Sequence, residues 1–244
     1  NSPDYENASD SNTDNIYTLT VTLSDGDYSV TQNLTVTVND VNEFPPVITS
    51  NGGGEDASIS YDENLTDDVA IIISTDDDGS STVSYTLSGT DASDFDISGD
   101  TITFANTPDY EIPTDDDSDN IYLVTVTASD GENVDTQDLT ITVIDLNEYA
   151  PVITSNEGAS DVAISLEENI TAVTTVTYTD EDGNPTITYE LSGTDFTDFI
   201  IDSGTGELVF SNAPDYENAA DADTDNIYEL TLTLSDGLYD VVQN

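Results

Sequence analysis

Tyr17-Thr-Leu-Thr-Val-Thr-Leu23 and Leu139-Thr-Ile-Thr-Val143 are the stretches that decide the fold. In both, apolar residues alternate with threonine, which is the pattern of a β-strand with one face buried. Hydrophobic residues make up 35% of the chain, and they are concentrated in runs of this kind. The pattern therefore favours a folded all-β protein over a disordered acidic chain.

These stretches belong to a repeat of domain size. Three of its segments are Pro-Asp-Tyr-Glu at 3–6, 108–111 and 214–217, Asp-Asn-Ile-Tyr at 14–17, 119–122 and 225–228, and Pro-Val-Ile-Thr-Ser-Asn at 46–51 and 151–156. Successive copies start 105 or 106 residues apart, which is the length of a small domain.

Two proline-containing linkers, Asp40 to Pro46 and Asp145 to Pro151, divide the repeat. We expect residues 1–45 to be the C-terminal part of one module, residues 46–150 a complete module, and residues 151–244 a module that lacks its last strand. Strands are predicted in the complete module near 57–61, 68–75, 82–88, 95–98, 101–105, 121–129 and 137–144, with turns at Asp78-Gly79, Ser98-Gly99 and Asp130-Gly131. Seven short strands in about a hundred residues predict tandem Greek-key β-sandwiches.

The charge of the chain excludes several classes of function. The sequence has 53 Asp and Glu residues and no Lys, Arg or His, which gives a formal net charge of −53. It has no cationic side chain for a nucleic-acid phosphate, anionic membranes should repel it, and no apolar stretch is long enough for direct membrane insertion. Without His, Cys or Lys, neither a Ser-His-Asp triad nor a thiol or Schiff-base nucleophile can form, so we expect no enzyme. The natural partner of so many carboxylates is a hard metal cation.

Acidic residues recur at fixed places beside the predicted strands. The motifs are Asp-Glu-Asn or Glu-Glu-Asn at 62–64 and 167–169, Asp-x-Asp at 76–78 and 180–182, Asp-x-Glu at 4–6, 109–111 and 215–217, Ser-Asp-Gly at 24–26, 129–131 and 235–237, and Asp-x-Asn-Glu at 40–43 and 145–148. Repeated in this order, they resemble the motifs of cadherin repeats, in the bacterial-type variant of large surface proteins. Glu-Phe and Glu-Tyr replace the last acidic–Asn pair of the cadherin linker. The resemblance implies cadherin-like or immunoglobulin-like sandwiches in a linear rod.

The resemblance also implies Ca²⁺ between consecutive modules. The 40–46 linker would use Asp4, Glu6, Asp40, Asn42, Asp76, Asp78 and Asp130. The 145–151 linker would use Glu63, Asp109, Glu111, Asp145, Asn147, Asp180, Asp182 and Asp236. A third junction, whose linker would follow Asn244, would use Glu168, Asp215 and Glu217.

A further acidic run recurs between the Asp-x-Glu motif and the next strand. In two copies it places aspartates at positions 1, 3 and 5 of a loop, Asp115, Asp117 and Asp119, and Asp221, Asp223 and Asp225. This spacing resembles the start of an EF-hand loop, but Asn replaces its glycine and no Glu stands at position 12. The run predicts either one more calcium site or a solvated Asp-rich turn.

The expected function is structural. We predict a calcium-rigidified repeat of an extracellular or cell-surface filament, stalk or giant adhesin. Its partners would be Ca²⁺ and further copies of the module, in the same or neighbouring chains. Near-identical modules favour this interpretation, because recognition normally needs one distinguished surface. The alternatives are a ligand-recognising adhesion module, or a fibre subunit in which strand exchange between chains completes residues 151–244.

Overall fold

The computed structural model describes residues 2–78, 82–183 and 186–244. Within these residues the regular structure consists of β-strands and a few short 3-10 turns, so the predicted all-β class is confirmed. The chain forms two compact units, Asn1–Ile144 (unit 1) and Asp145–Asn244 (unit 2). The finer division into three modules stays a prediction. Gly79, in the predicted Asp78-Gly79 turn, lies outside the described residues.

Unit 1 contains a hairpin followed by a sandwich. Its strands are β1 (Ile16–Ser24), β2 (Ser29–Thr37), β3 (Val47–Ile48), β4 (Asp56–Asp62), β5 (Ala70–Ile71), β6 (Ser74–Thr75), β7 (Ser84–Ser88), β8 (Phe95–Ser98), β9 (Thr101–Phe104), β10 (Ile121–Ser129) and β11 (Val134–Ile144). Short 3-10 turns lie at Ser50–Gly52 and Ala92–Asp94.

The sandwich consists of two sheet layers. One is the sheet β4-β11-β10-β7, in which β4 runs parallel to β11 and the other pairs are antiparallel. The other contains the sheet β5-β9-β8 and the pair β3-β6. Tyr122, Val126 and Ile141, at alternate positions of β10 and β11, are at most 1% exposed and pack with Ile72 and Ile102. The alternation seen in the sequence therefore separates the core face from the solvent face.

The strand predicted over 68–75 divides into two. Strand β5 pairs with β9, whereas β6 pairs with β3. Between them, the Ile72 N–H donates to Asp100 O (2.7 Å), and Ile73 O accepts from Thr49 N (2.8 Å). The segment thus changes partners within two residues, which sequence periodicity cannot show.

Unit 2 repeats part of this arrangement. Its strands are β12 (Val152–Ile153), β13 (Ala172–Thr175), β14 (Tyr178–Thr179), β15 (Thr188–Ser192), β16 (Phe199–Ile201), β17 (Glu207–Phe210), β18 (Thr231–Ser235) and β19 (Asp240–Gln243), with 3-10 turns at Ser155–Gly158, Phe196–Asp198 and Tyr216–Asn218. The sheets are β15-β18-β19, β13-β17-β16 and β12-β14. Residues 161–167, all of them described, form no strand, whereas unit 1 has β4 at the equivalent place.

The repeated sequence Leu-Ser-Gly-Thr-Asp, at 87–91 and 191–195, forms the same turn in both units, and its aspartate accepts hydrogen bonds from a later part of the chain. Asp91 is 4% exposed, and its two carboxylate oxygens accept from the backbone N–H groups of Asp116 (2.9 Å) and Leu123 (2.7 Å). Gly89 has a φ of 115°, and a Cβ there would lie 2.8 Å from Leu123 O. Glycine is therefore required for the close approach.

Candidate metal centres

The linker that follows β2 gathers carboxylates that are far apart in the sequence. Glu6, Asp40 and Asp78 each place a carboxylate oxygen within 4.8 Å of the other two. Glu6 precedes the β1–β2 hairpin, Asp40 follows it, and Asp78 lies just after β6, so the hairpin and the sandwich of unit 1 both contribute. Asp78 is only 5% exposed.

Asp78 is held by the backbone around it. Its Oδ2 accepts from the Phe44 N–H in the linker (2.9 Å), and its own N–H donates to Asp76 Oδ1 (3.0 Å). Its Oδ1 is buried and accepts no hydrogen bond from any described residue. A buried carboxylate oxygen without a donor is costly unless a cation contacts it.

The side-chain amide of Asn42 lies between two carboxylates of this linker. With its nitrogen turned toward them, it donates to Asp78 Oδ2 (3.0 Å) and Asp130 Oδ2 (3.1 Å). Asp130 belongs to the loop between β10 and β11, where its Oδ1 accepts from the N–H groups of Glu132 (2.8 Å) and Asn133 (2.6 Å). Asn42 therefore joins Asp78 to Asp130, and rotation of its amide by 180° would give Ca²⁺ an oxygen ligand beside the two carboxylates.

The surroundings of the cluster raise the pKa of one carboxyl group and lower that of another. Desolvation, followed by the nearby Asp40 and Glu43 carboxylates, raises the pKa of Glu6 despite an opposing backbone hydrogen bond. The backbone hydrogen bond from Asn133 is the largest influence on Asp130 and lowers its pKa. The pKa of Asp130 is thus lowered by backbone donors, whereas the pKa of Glu6 is raised first by desolvation and then by the neighbouring carboxylates.

A second cluster lies at the other end of the sandwich. Glu63, Asp109 and Glu111 bring their carboxylate oxygens within 4.8 Å of one another. Glu63 follows β4 directly and is 0% exposed, and its Oε2 accepts from the Tyr110 N–H (2.7 Å). Asp109 Oδ1 accepts from the Ile112 N–H (3.0 Å). The Glu63–Tyr110 hydrogen bond joins the end of β4 to the Asp-x-Glu segment, and the parallel pairing of β4 with β11 holds the end of β4 in place.

Unit 2 carries the counterpart of the first cluster. Asp182 is 6% exposed and accepts from the N–H groups of Glu148 (3.3 Å) and Tyr149 (3.1 Å), as Asp78 accepts from Phe44. Asp145 and Asp182 place carboxylate oxygens within 4.8 Å of each other. Desolvation, followed by the charges of Asp182 and Asp236, raises the pKa of Asp180 despite a hydrogen bond from the Asp182 N–H.

Buried oxygens without donors recur in unit 2. Asn147 Oδ1, Asp180 Oδ2 and Asp236 Oδ2 are buried and accept no hydrogen bond from any described residue. Desolvation opposes ionisation of Asp236, but the N–H groups of Tyr239 and Leu238 outweigh it and lower its pKa. Asp236 thus combines a lowered pKa with a buried oxygen that has no hydrogen-bond donor among the described residues.

Glu168, Asp215 and Glu217 form a more exposed group in unit 2. Their carboxylate oxygens also lie within 4.8 Å of one another, and all three side chains are exposed. Glu168 Oε2 accepts from the Tyr216 N–H (3.0 Å), which is equivalent to the Glu63–Tyr110 contact. The residues predicted for a third junction are therefore assembled with the same backbone contact but without burial.

The Asp-rich loops have the same construction in each copy. Asp115 Oδ2 and Oδ1 accept from the N–H groups of Asp119 (2.8 Å) and Asn120 (3.2 Å), and Asp221 accepts from Asp225 and Asn226 in the same way. Asp115, Asp117 and Asp119 each place a carboxylate oxygen within 4.8 Å of the other two. The negative charge of Asp119 is the largest of the effects that raise the pKa of Asp117. These backbone contacts explain the turn without a metal, so the extra site in this loop stays a prediction.

Asp4 and Asp76, which are also predicted for the first linker, accept hydrogen bonds from nearby backbone N–H groups. Asp4 is exposed and accepts from the Asn7 N–H through Oδ1 (3.0 Å), and Asp76 Oδ1 accepts from the Asp78 N–H. Neither belongs to the trio of Glu6, Asp40 and Asp78. Sequence reasoning also missed Asn133, whose side-chain amide lies 3.2 Å from that of Asn42. The equivalent residues in the other repeats are Tyr28 and Tyr239, so no repeated motif marks this position.

Comparison with known proteins shows the fold. No protein-family model and no curated protein sequence matches the chain. The structure of human CDH23 EC21-23 matches with a TM-score of 0.66 and 20% identity, over 94% of this chain and 73% of that one. Mouse Cadherin-23 EC22-24 matches with a TM-score of 0.56 and 18% identity, over 93% and 71%. Drosophila N-cadherin EC1-4 matches with a TM-score of 0.59 and 23% identity, over 87% and 50%.

The chain has a cadherin-like β-sandwich fold, as these likenesses and its sheet order show. It spans half of the N-cadherin chain and 37% of the chain in the structure of the Protocadherin GammaB4 extracellular domain. Across the described ranges 2–78, 82–183 and 186–244, no helix has the length and apolar character needed to cross a membrane.

Proposed function

Starting from a chain with the cadherin-like fold, we propose that it is a calcium-rigidified structural repeat of an extracellular filament, stalk or giant adhesin. In this proposal Ca²⁺ binds at the linkers between modules. The proposed ligands at the first linker are Asp4, Glu6, Asp40, Asn42, Asp76, Asp78 and Asp130. One ion, or several together, would join the β1–β2 hairpin, the linker and the following sandwich.

The observation that carries the proposal is the carboxylate cluster at the 40–46 linker. Three carboxylates from distant parts of unit 1 meet within 4.8 Å, and one oxygen of the buried Asp78 has no donor. The sequence contains no Lys, Arg or His, so no side chain of this protein can neutralise them. An external cation is therefore the available source of compensating charge.

Simple electrostatics give the size of the effect. Two carboxylates about 5 Å apart repel by roughly 3 kcal/mol at an effective dielectric near 20. A divalent cation with six to eight oxygen ligands reverses the sign of that interaction, and binding then stabilises the folded linker. Extracellular calcium modules bind with a Kd of about 10⁻⁴–10⁻³ M, which suits a calcium-rich exterior.

The proposal extends to the second linker by sequence equivalence. Within unit 2, Asp145, Asn147, Asp180, Asp182 and Asp236 repeat Asp40, Asn42, Asp76, Asp78 and Asp130. Within unit 1, Glu63, Asp109 and Glu111 form a cluster that would hold a cation in the same way. The fit of these residues to Ca²⁺ is supported by the buried oxygens without donors in unit 2. Glu168, Asp215 and Glu217 would serve a further junction in the same way.

Calcium titration of the whole chain tests the proposal. Isothermal titration calorimetry should give a Kd of about 10⁻⁴–10⁻³ M. At 100 times Kd, each site should add about 2.7 kcal/mol to the free energy of unfolding. Small-angle scattering should show a narrower range of interdomain distances with Ca²⁺ than with chelator.

Asp78→Asn and Asp77→Asn form a matched pair for this experiment. Both remove one charge from the same loop, but Asp77 is exposed and Asp78 is buried in the cluster. Asp78→Asn should remove the calcium-dependent stabilisation of the first linker, whereas Asp77→Asn should keep it. Equal responses of the two variants, or the same stabilisation by NaCl of matched ionic strength, would mean non-specific screening and would refute the proposal.

A further inference from the structure

The repeated segment Pro-Val-Ile-Thr-Ser-Asn, at 46–51 and 151–156, is followed by different residues in the two units. In unit 1 three glycines follow Asn51, and Asn51-Gly52 is the one Asn-Gly pair of the sequence. In unit 2 Glu157 follows Asn156. The chain therefore contains two copies of one asparagine site, and they differ in the residue whose backbone nitrogen lies next to the asparagine side chain.

The site in unit 1 is open to solvent. Asn51 and Gly52 are both exposed, and a Cβ added to Gly52 would have no heavy atom within 4 Å. Asn51 has a left-handed backbone (φ 51°, ψ 32°), so its peptide bond to Gly52 must rotate before the Gly52 nitrogen can reach Asn51 Cγ. The three glycines permit this rotation, because glycine has few forbidden backbone conformations.

The site in unit 2 is more constrained. Asn156 is half-buried, and Glu157 has a left-handed backbone (φ 60°). A Cβ on Gly158 would lie 3.1 Å from Ile153 O, so the backbone has little room to move there. The side chain of Glu157 hinders attack by its own nitrogen, and its negative charge disfavours loss of the N–H proton.

Asn51 also connects its turn to β11. Gln137 in β11 is 0% exposed, and its Nε2 donates to Ser50 O (3.3 Å) and Gly54 O (2.9 Å), which fixes the orientation of its amide. Asn51 Nδ2 donates to the Oε1 of Gln137 (3.1 Å). A carboxylate in place of the Asn51 amide cannot donate, and it would place negative charge against a buried oxygen.

We propose that Asn51-Gly52 is a site of spontaneous deamidation and that the product weakens the attachment of the 50–54 turn to β11. The Gly52 nitrogen attacks Asn51 Cγ, the Cγ–Nδ2 bond breaks, and ammonia leaves with the Gly52 proton, which gives a succinimide. Water then opens this ring at either carbonyl to aspartate or isoaspartate, so OH replaces NH₂ overall. The product loses the donor to Gln137 and adds a carboxylate to a chain with a net charge of −53.

Glu-specific proteolysis and mass spectrometry compare the two sites in one folded chain. Cleavage after glutamate releases residues 44–55 and 149–157, each with a single asparagine, Asn51 or Asn156. During storage of the whole chain at mildly alkaline pH, which favours the deprotonated nitrogen, peptide 44–55 should lose most of its unmodified form. Peptide 149–157 should stay unmodified. Survival of Asn51, or an equal loss at both sites, would overturn the proposal.

Asn51→Asp reproduces the aspartate product and tests its effect on the fold. Because Gln137 Oε1 loses its donor, the unfolding equilibrium constant of unit 1 should rise about five- to thirty-fold in urea denaturation. Asn106→Asp is the matched control, since it adds the same charge at an exposed position of unit 1 and should leave the constant unchanged. A wild-type constant in Asn51→Asp, or equal changes in the two variants, would contradict the proposed weakening of the turn.

Discussion

Glu63 and Glu168 occupy equivalent positions in two copies of one repeat, yet Glu63 is 0% exposed and Glu168 is exposed. Both accept a backbone N–H from the tyrosine of the Asp-x-Glu motif, at 2.7 Å and 3.0 Å. The local motif is therefore the same, and the difference arises in the surrounding sheet.

The surrounding strand pair explains the difference. In unit 1, β4 pairs with the long strand β11 from Asp56–Asp138 to Asp62–Ile144, and the Glu63 N–H donates to Ile144 O (3.2 Å). In unit 2 the given sequence ends at Asn244, the equivalent of Asp138, and the Val162 N–H donates to Asn244 O (2.7 Å). The residues equivalent to 139–144 of β11 are outside the given sequence, and residues 161–167 form no strand in their absence. The comparison teaches that a partner strand about 80 residues away buries the candidate ligand, whereas the motif around it does not.

The largest expected effect comes from weakening that partner strand. Ile141→Ala removes a fully buried side chain from β11 and should lower the free energy of unfolding of unit 1 by about 3 kcal/mol. Urea denaturation, followed by NMR peak intensities of each unit, measures it. Hydrogen exchange of the Glu63 N–H should accelerate toward that of Glu168.

Val242→Ala in β19 is the matched control. Val242 is 47% exposed, so the same kind of truncation should change stability by less than about 1 kcal/mol. Similar losses for the two variants would show that β11 has no special part in the difference between the units.

An intermediate effect is expected where the two units are alike. Asp91 and Asp195 are both 4% exposed, and Asp195 accepts from Ala222 N (2.9 Å) and Glu229 N (2.7 Å), as Asp91 accepts from its two partners. Asp91→Ala and Asp195→Ala should each leave two donors unsatisfied and destabilise their unit by about 2 kcal/mol. Denaturation of both variants checks this, and a difference between them above about 1 kcal/mol would contradict the equivalence of the two turns.

The smallest expected effect is a pH dependence present in one unit. Asp202, in the β16–β17 turn of unit 2, accepts from Thr205 Oγ1 (2.9 Å), Thr205 N (2.8 Å) and Gly204 N (3.0 Å). These bonds, led by the Thr205 hydroxyl, lower the pKa of Asp202. Because the folded pKa is the lower one, this stabilisation is present above about pH 4 and is lost as the pH falls through the folded pKa.

Carbon-13 NMR titration of the Asp202 carboxyl measures this pKa directly. Thr205→Ala should raise it toward the ordinary aspartate value, and Thr205→Ser, which keeps the hydroxyl, should leave it low. An Asp202 pKa that does not respond to Thr205→Ala would show that the turn does not depend on this hydroxyl.

Much of the fold and of the candidate sites could be predicted from the sequence. The alternation of Thr with apolar residues predicts β10 and most of β11, and the recurrence of Asp-x-Asp and Asp-x-Glu identifies Asp78, Asp109 and their equivalents. The division of residues 68–75 between two partners could not be predicted, because periodicity reports the face of a strand and not its neighbour. Asn133 could not be found either, since a contact made by one repeat leaves no repeated signal.

The sequence by itself determined the strand pattern, the repeat and a net charge of −53 without a single cationic side chain. These follow from residue identity and spacing alone. Only the tertiary structure decided which carboxylates meet. Glu6, Asp40 and Asp78 come within 4.8 Å because the linker folds back on the Asp-x-Asp loop, and Glu63 is buried because β4 pairs with β11. Such convergence depends on long-range strand pairing, which local sequence does not encode.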